Sequence, residues 1–224
     1  MHGTQKVGKY WRYIDGKEQR EFCKTCMTTE SMEHILIHCQ AAPRRLIWSF
    51  TEELWPYAQE LWPEISLGII LGCGSVTLPT DEDRENQENQ ENPDRGNIPR
   101  GARKRGANRL LQILLSEASH LIWVLRCERV IIPDEDNEDN EDNEDNEDNE
   151  DRDEHIHTDR EIQTRWLKVI NARLTKDKII ATRVKWDEKF LQRVRETWEP
   201  TLKRSADIPR NWVHNPEVLV GRRT

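Results

Sequence analysis

Apolar residues gather in clusters with helical spacing, separated by two long polar stretches. Leu46, Ile47, Phe50 and Leu54 share one face, and Pro56 and Pro63 limit how far that helix runs. ISLGIILGCG follows as a short buried segment ending at a glycine turn, where helix and strand fit equally. The most apolar run is Leu110 to Leu125. Its apolar positions lie nearly all round the axis, which predicts a core helix from about Asn108, as cap, to Ile132, stopped by Pro133. Gln112, Glu117 and His120 interrupt the run, which is shorter than the ~20 residues a bilayer requires. Ile162, Trp166, Val169, Ile170 and Leu174 form another stripe, with Thr158 or Asp159 as cap. Phe190, Val194 and Trp198 form the last, capped by Asp187 and ended by Pro200. SMEHILIHC predicts a short helix with Ser31 as N-cap, and NWVHNPEVLVGRRT an extended end.

The polar stretches change the picture of a single packed domain. Residues 79–105 are low in apolar side chains, and 137–151 are five copies of Asn-Glu-Asp, so neither recovers the entropy of ordering. The chain is 35% hydrophobic and 34% charged, against about 45–50% apolar in an average domain. The net charge of −8 is misleading, because residues 134–154 hold 15 acidic side chains and one basic one. The remainder, with 33 basic and 27 acidic residues, is mildly basic, which permits a nucleic-acid partner without requiring one. The expected fold is mainly α: a small CCHC zinc module followed by a helical region with two disordered low-complexity inserts. The segments are 1–75 (zinc module and first helix), 76–106 (disordered linker), 107–133 (core helix), 134–157 (acidic insert), 158–200 (helical) and 201–224 (extended tail).

Candidate chemistry is concentrated in Cys23-x2-Cys26-x7-His34-x4-Cys39. Three thiolates and an imidazole complete a tetrahedral zinc sphere and leave no position for an activated water, so the expected Zn2+ is structural. His38, beside Cys39, competes with His34 as ligand. A CxxC redox pair and unrelated cysteines are the other readings, although a redox pair wants a βαβ context that this pattern lacks. An odd count of five cysteines and no apolar leader predict reduced thiols and an intracellular protein of nucleus or cytoplasm, not a secreted one. Cys73 and Cys127 read as small buried hydrophobes, and Glu117 with His120 as a buried polar pair. The eight tryptophans after residue 40 read as core anchors. Tyr10, Trp11 and Tyr13 interleave with Lys9, Arg12 and Lys17, which suits stacking on single-stranded RNA or, alternatively, a local cluster covering the zinc. Arg100, Arg103, Lys104 and Arg105 form a basic run suited to nuclear import, phosphate contact or plain solvation.

YWRYIDGKEQREFCKTCMTTESMEHILIHC resembles the zinc-binding domain that follows the reverse transcriptase of many non-LTR retrotransposons. Trp11, Cys23, Cys26, Glu30, Ser31, Glu33, His34, Ile35, Leu36 and Cys39 fall on that pattern. RRLIWSFTEELW, SLGIILGCG, LLSEASHLIWVLRCERVI and RWLKVINARLTKDKI look like a variant of fungal retroelement proteins, found downstream of a ribonuclease H-like domain. The resemblance implies a non-catalytic fragment of a polyprotein, with RNA or single-stranded DNA, or a parent polymerase or nuclease domain, as partner. No membrane or small-molecule substrate is expected. Neither a Tyr/Phe-x-Asp-Asp polymerase signature nor the four carboxylates of a ribonuclease H is found, so no enzymatic activity is expected. The alternative is a helical interaction remnant that binds no nucleic acid.

Overall fold

The computed structural model describes residues 6–57, 61–78, 100–130, 157–183, 188–203, 208–209 and 211–221, with backbone alone for 100–104. Both repeats, 79–99 and the Asn-Glu-Asp tract, lie outside the described residues, as do Asp187 and Trp186. The fold is mainly α, with α1 Ala42–Glu53, α2 Leu67–Leu71, α3 Arg100–Val130, α4 Asp159–Arg183 and α5 Glu188–Trp198. Among the described residues, β-pairing is limited to the bridges Phe22–Thr29 and Leu202–Val220. Two compact units emerge: 1–49 with 118–166, and 50–117 with 167–224.

In the first unit, turns and a short helix over 8–38 lead into the start of α1, with residues 118–130 of α3 and 159–166 of α4. Its buried side chains include Trp11, Ile35, Leu36, Ile47, Leu121, Ile122, Leu125, Ile162 and Trp166. Trp48 donates its indole N–H to the Leu36 carbonyl at 2.8 Å, fastening α1 to the preceding turn. α4 opens with a reciprocal cap. The Thr158 hydroxyl accepts the Glu161 N–H at 3.3 Å, while the Glu161 carboxylate accepts the Thr158 N–H at 2.8 Å. Glu128 on α3 pairs with Arg165 on α4, and that guanidinium holds the Glu128 carboxyl below its ordinary value.

In the second unit, Leu110, Leu111, Leu114 and Leu115 of α3 are buried, as are Ile170, Leu174, Val194, Trp198, Trp212 and Val220. Buried Asp177 organises the charges here. One of its oxygens accepts from Arg109 at 2.8 Å and the other from the Trp198 indole at 2.7 Å. Arg109 reaches the Thr197 hydroxyl at 3.3 Å with the same guanidinium. Breaking such a buried pair leaves an uncompensated charge, which costs more than the pair contributes. Buried Lys178 donates to the carbonyls of Asn215 and Val218, and burial lowers its pKa. Asn171 accepts the Val220 N–H at 2.8 Å. The segment from Asn215 to Val220 is therefore fastened, with a tight turn at Trp212–His214 where extended chain was expected.

Several expectations need correction. The linker expected over 76–106 gives way to α3 at Arg100, because Ala, Lys and Arg propagate a helix readily once a core nucleates it. Asn108 therefore sits inside α3 and does not cap it, its side-chain oxygen instead accepting the Leu78 N–H at 2.8 Å. ISLGIILGCG resolves as α2, capped by Ser66, whose hydroxyl accepts the Ile69 N–H at 3.3 Å. At 31 residues α3 is long enough to cross a bilayer, so shortness does not exclude that. Over its most apolar stretch, however, 61% is buried in protein. Glu117 and His120 are not a buried pair, since His120 is exposed and Glu117 lies 3.9 Å from Arg173. Cys73 and Cys127 are half-buried.

Within the second unit α3 and α5 approach so closely at Gly106 that a Cβ there would stand 2.2 Å from the Glu196 carbonyl oxygen. Gly106→Ala is expected to destabilise the protein by about 1–3 kcal/mol. Gly74→Ala, with open space around its Cβ, is expected to stay within about 0.5 kcal/mol. Urea unfolding followed by tryptophan fluorescence checks both.

Candidate metal centre

Residues 21–30 form a bracket that brings two cysteines to one side. Its arms are tied by Cys23 N–H to Thr28 O at 2.8 Å and Glu30 N–H to Glu21 O at 2.9 Å, with the Phe22–Thr29 bridge between them. The tip closes with Met27 N–H to Cys23 O at 2.7 Å. Met27 has φ 55°, left-handed backbone that costs a side-chain-bearing residue about 1–2 kcal/mol. The N-terminal turn seats on this bracket, and Gly8 lies so close that a Cβ would stand 2.1 Å from the Glu30 carbonyl oxygen.

The other two ligands come from the short helix. Ser31 caps it, its hydroxyl accepting the His34 N–H at 3.0 Å. Residues five apart in an α-helix point about 140° away from each other. His34–His38 winds instead as a π-turn, closed by Cys39 N–H to His34 O at 2.7 Å. That wider winding returns Cys39 to the side of His34. Such turns mark functional sites often.

Cys23, Cys26, His34 and Cys39 thus present ligand atoms within 4.8 Å of one another, close enough to hold a metal ion. The Cys23 and Cys39 sulfurs are 3.7 Å apart. A tetrahedral ion with metal–sulfur bonds of about 2.3 Å needs an edge of about 3.8 Å. Nδ1 of His34 lies 3.5 Å from the Thr28 hydroxyl. Its Nε2 is buried and meets no hydrogen-bond partner among the described residues, as a nitrogen reserved for an ion would be. Backbone N–H groups of Gln40 and Ala41 donate to the sulfurs of Cys26 and Cys39 at 3.2 and 3.4 Å, which disperses thiolate charge. Burial pushes the Cys23 thiol up, but the adjoining His34 ring and the backbone N–H groups of Cys26 and Thr25 prevail and bring it to about 7. Burial, reinforced by the neighbouring sulfurs, drives Cys39 to about 12. A cation among the sulfurs would favour their thiolate forms. His38 is not in the cluster; it is largely exposed, 4.0 Å from Glu33.

The residues expected to meet nucleic acid separate. Trp11 is 5% exposed, its indole N–H donates to Lys6 O at 2.9 Å, and the Arg20 guanidinium covers its ring at 4.8 Å. Its faces are packed, so it does not offer a stacking surface. Arg12 is held by a two-armed pair with buried Glu21. Lys9 is exposed and Lys17 half-buried. Tyr10 and Tyr13 are exposed at 45% and 83%, and Phe22 and Met27, which sequence did not single out, are exposed on the bracket.

Sequence reasoning also missed the link between bracket and helix. Glu30 and Arg126 form a buried ion pair, with side chains 2% and 4% exposed, in which Arg126 Nε donates to Glu30 at 2.9 Å. Arg126 further lies over the Trp123 ring at 5.4 Å. A lone arginine within LIWVLRC was the available signal, since a charge on an apolar helix face demands a partner. The chain matches no protein-family model, no curated protein and no solved structure.

One equivalent of divalent metal is expected per chain, measured by cobalt(II) absorption titration. Cys26→Ser and His34→Ala should weaken binding by more than the ~10–100-fold that losing an outer partner costs, and His38→Ala should leave it unchanged. Glu30→Gln strands a buried guanidinium and should cost about 3–5 kcal/mol of stability in chemical unfolding.

Proposed function

We propose that this chain is a non-catalytic zinc module of a retroelement polyprotein, binding RNA or single-stranded DNA without strong sequence preference. The observation that carries the reading is the convergence of three sulfurs and a buried, unpartnered imidazole nitrogen within 4.8 Å. Zinc is the ion favoured by thiolate and imidazole ligands in a tetrahedron, and four protein ligands leave no open position for a reacting water. Metal binding then contributes folding free energy on the order of 10 kcal/mol.

The resemblance to the domain downstream of non-LTR reverse transcriptases gains support from the structural roles of its motif residues. Trp11 is packed beneath Arg20, Glu30 pairs with Arg126, Ser31 caps the short helix, and Ile35 and Leu36 are buried. The nucleic-acid reading draws on Tyr10, Tyr13, Phe22 and Met27, exposed apolar side chains that burial has not claimed, and on Lys9 and Lys24 nearby in sequence. Aromatic faces stack on bases of any identity, while cations follow the phosphates. A second reading, a helical docking fragment, is favoured by Ile179, Ile180 and Leu219, exposed at 42%, 47% and 42% in the second unit. Were they to form one patch, it would suit a protein interface.

Fluorescence anisotropy of the zinc-loaded chain with labelled single-stranded RNA tests the first reading. Affinity should fall steeply with salt, and each lost phosphate contact should flatten the log–log slope by about 0.7. Tyr13→Ala should weaken binding by about 1–3 kcal/mol while zinc is retained. Full zinc occupancy with no RNA binding at low salt would reject it in favour of the docking fragment.

A further inference from the structure

The tip of the bracket combines two penalties at one residue. Cys23 to Met27 form a five-residue turn, closed by Met27 N–H to Cys23 O at 2.7 Å. The closure holds Met27 at φ 55°, a conformation that Gly or Asn adopts far more readily than Met. The Met27 side chain is also 77% exposed, so burial recovers little of that cost. A lone exposed apolar side chain is ordinary on a protein surface. Left-handed backbone beneath it is not, because Gly or Asn would relieve both penalties without opening the turn. Strain retained at one position points to a use for the side chain it carries.

The surroundings narrow that use. Lys24 and Thr25 lie in the same turn, and both are exposed. Arg129 of α3 reaches the middle of the turn, where its Nη1 donates to the Thr25 hydroxyl at 3.2 Å. The carboxylates of the bracket are withdrawn, since Glu21 and Glu30 are buried and paired with Arg12 and Arg126. The tip therefore shows solvent a thioether, a hydroxyl and an ammonium, with a guanidinium against them. A thioether sulfur packs favourably on an aromatic ring, and cations hold phosphates. An apolar peptide would use the thioether and leave the cations idle. A duplex would use the cations and keep its base faces stacked away. A single strand uses both.

We propose that Met27 is the base-contacting anchor of a single-strand site at the bracket tip, with Lys24 and Arg129 on the adjoining phosphates. This rests on the nucleic-acid reading above and sharpens it. The feature recognised is an unpaired base, and the strained turn is kept in order to present the side chain that meets it. Stability and binding then pull in opposite directions at this one position.

The test compares the full chain with its Met27→Gly variant, both supplied with zinc. Chemical unfolding, zinc content and anisotropy with labelled single-stranded and duplex RNA of equal length are measured on each. Met27→Gly should keep its zinc and unfold at an equal or higher denaturant midpoint. It should bind the single strand about 2- to 10-fold more weakly, as loss of one sulfur–aromatic contact would. Duplex, held through phosphates alone, should bind both proteins alike. Arg129→Gln, which spares the buried Glu30–Arg126 pair, should flatten the log–log salt slope on the single strand by about 0.7. Equal single-strand affinity in Met27→Gly would overturn the anchor and leave the nucleic-acid reading standing. A lower midpoint in Met27→Gly would overturn it too, because methionine would then be serving the fold. An unsubstituted chain that binds no single strand at low salt would remove the nucleic-acid reading, and the anchor with it.

Discussion

The convergence of three sulfurs and one imidazole is the constraint on which the N-terminal part of this protein rests. Cys23 and Cys39 approach to 3.7 Å, with Cys26 and His34 beside them. A buried thiolate is unfavourable alone and worse beside another. The bracket over 21–30 and the short helix after it hold little apolar mass of their own, and a cation bound among the sulfurs would supply the folding free energy that apolar burial does not. Around that centre the protein supplies backbone donors from Gln40 and Ala41 to the sulfurs and a cationic one from Arg44 to the Cys39 carbonyl, while Thr28 meets the imidazole.

The same logic, charge placed where it must find a partner, recurs along α3. Arg126 inside the first unit meets Glu30, and Arg109 inside the second meets Asp177. Each pair joins segments far apart in sequence. Pairs of this kind contribute little net stability but penalise wrong packings heavily, because a misdocked helix strands a charge. In a helix apolar on most sides, such as α3, hydrophobicity alone does not set the rotation about the axis. Fixed ion pairs supply that missing direction.

Much of this was legible in the sequence. The four clustered residues Cys23, Cys26, His34 and Cys39, the Ser31 and Thr158 caps, the helical stripes at Ile47, Trp166 and Val194, and the mainly α class follow from spacing and residue type. What was not legible depended on distant partners. Asn108 looks like a cap until Leu78 is placed beside it, and Trp11 looks like a stacking platform until Arg20 covers it. The start of α3 at Arg100 was hidden because local composition there resembles a linker, whereas the helix propagates backward from a buried core. The π-turn was invisible for a different reason. No residue type demands it; the need to turn two ligands toward one point does.

That turn carries a consequence for how this kind of chain tolerates length changes. A π-turn is an α-turn holding one surplus residue. Removing one position from among Ile35, Leu36 and Ile37 would let the segment rewind as ordinary α-helix, with imidazole and thiol then four apart on a common face. Coordination would survive a deletion that elsewhere in a helix would rotate every later side chain out of register. An ion held by that pair would thus be buffered against single-codon loss.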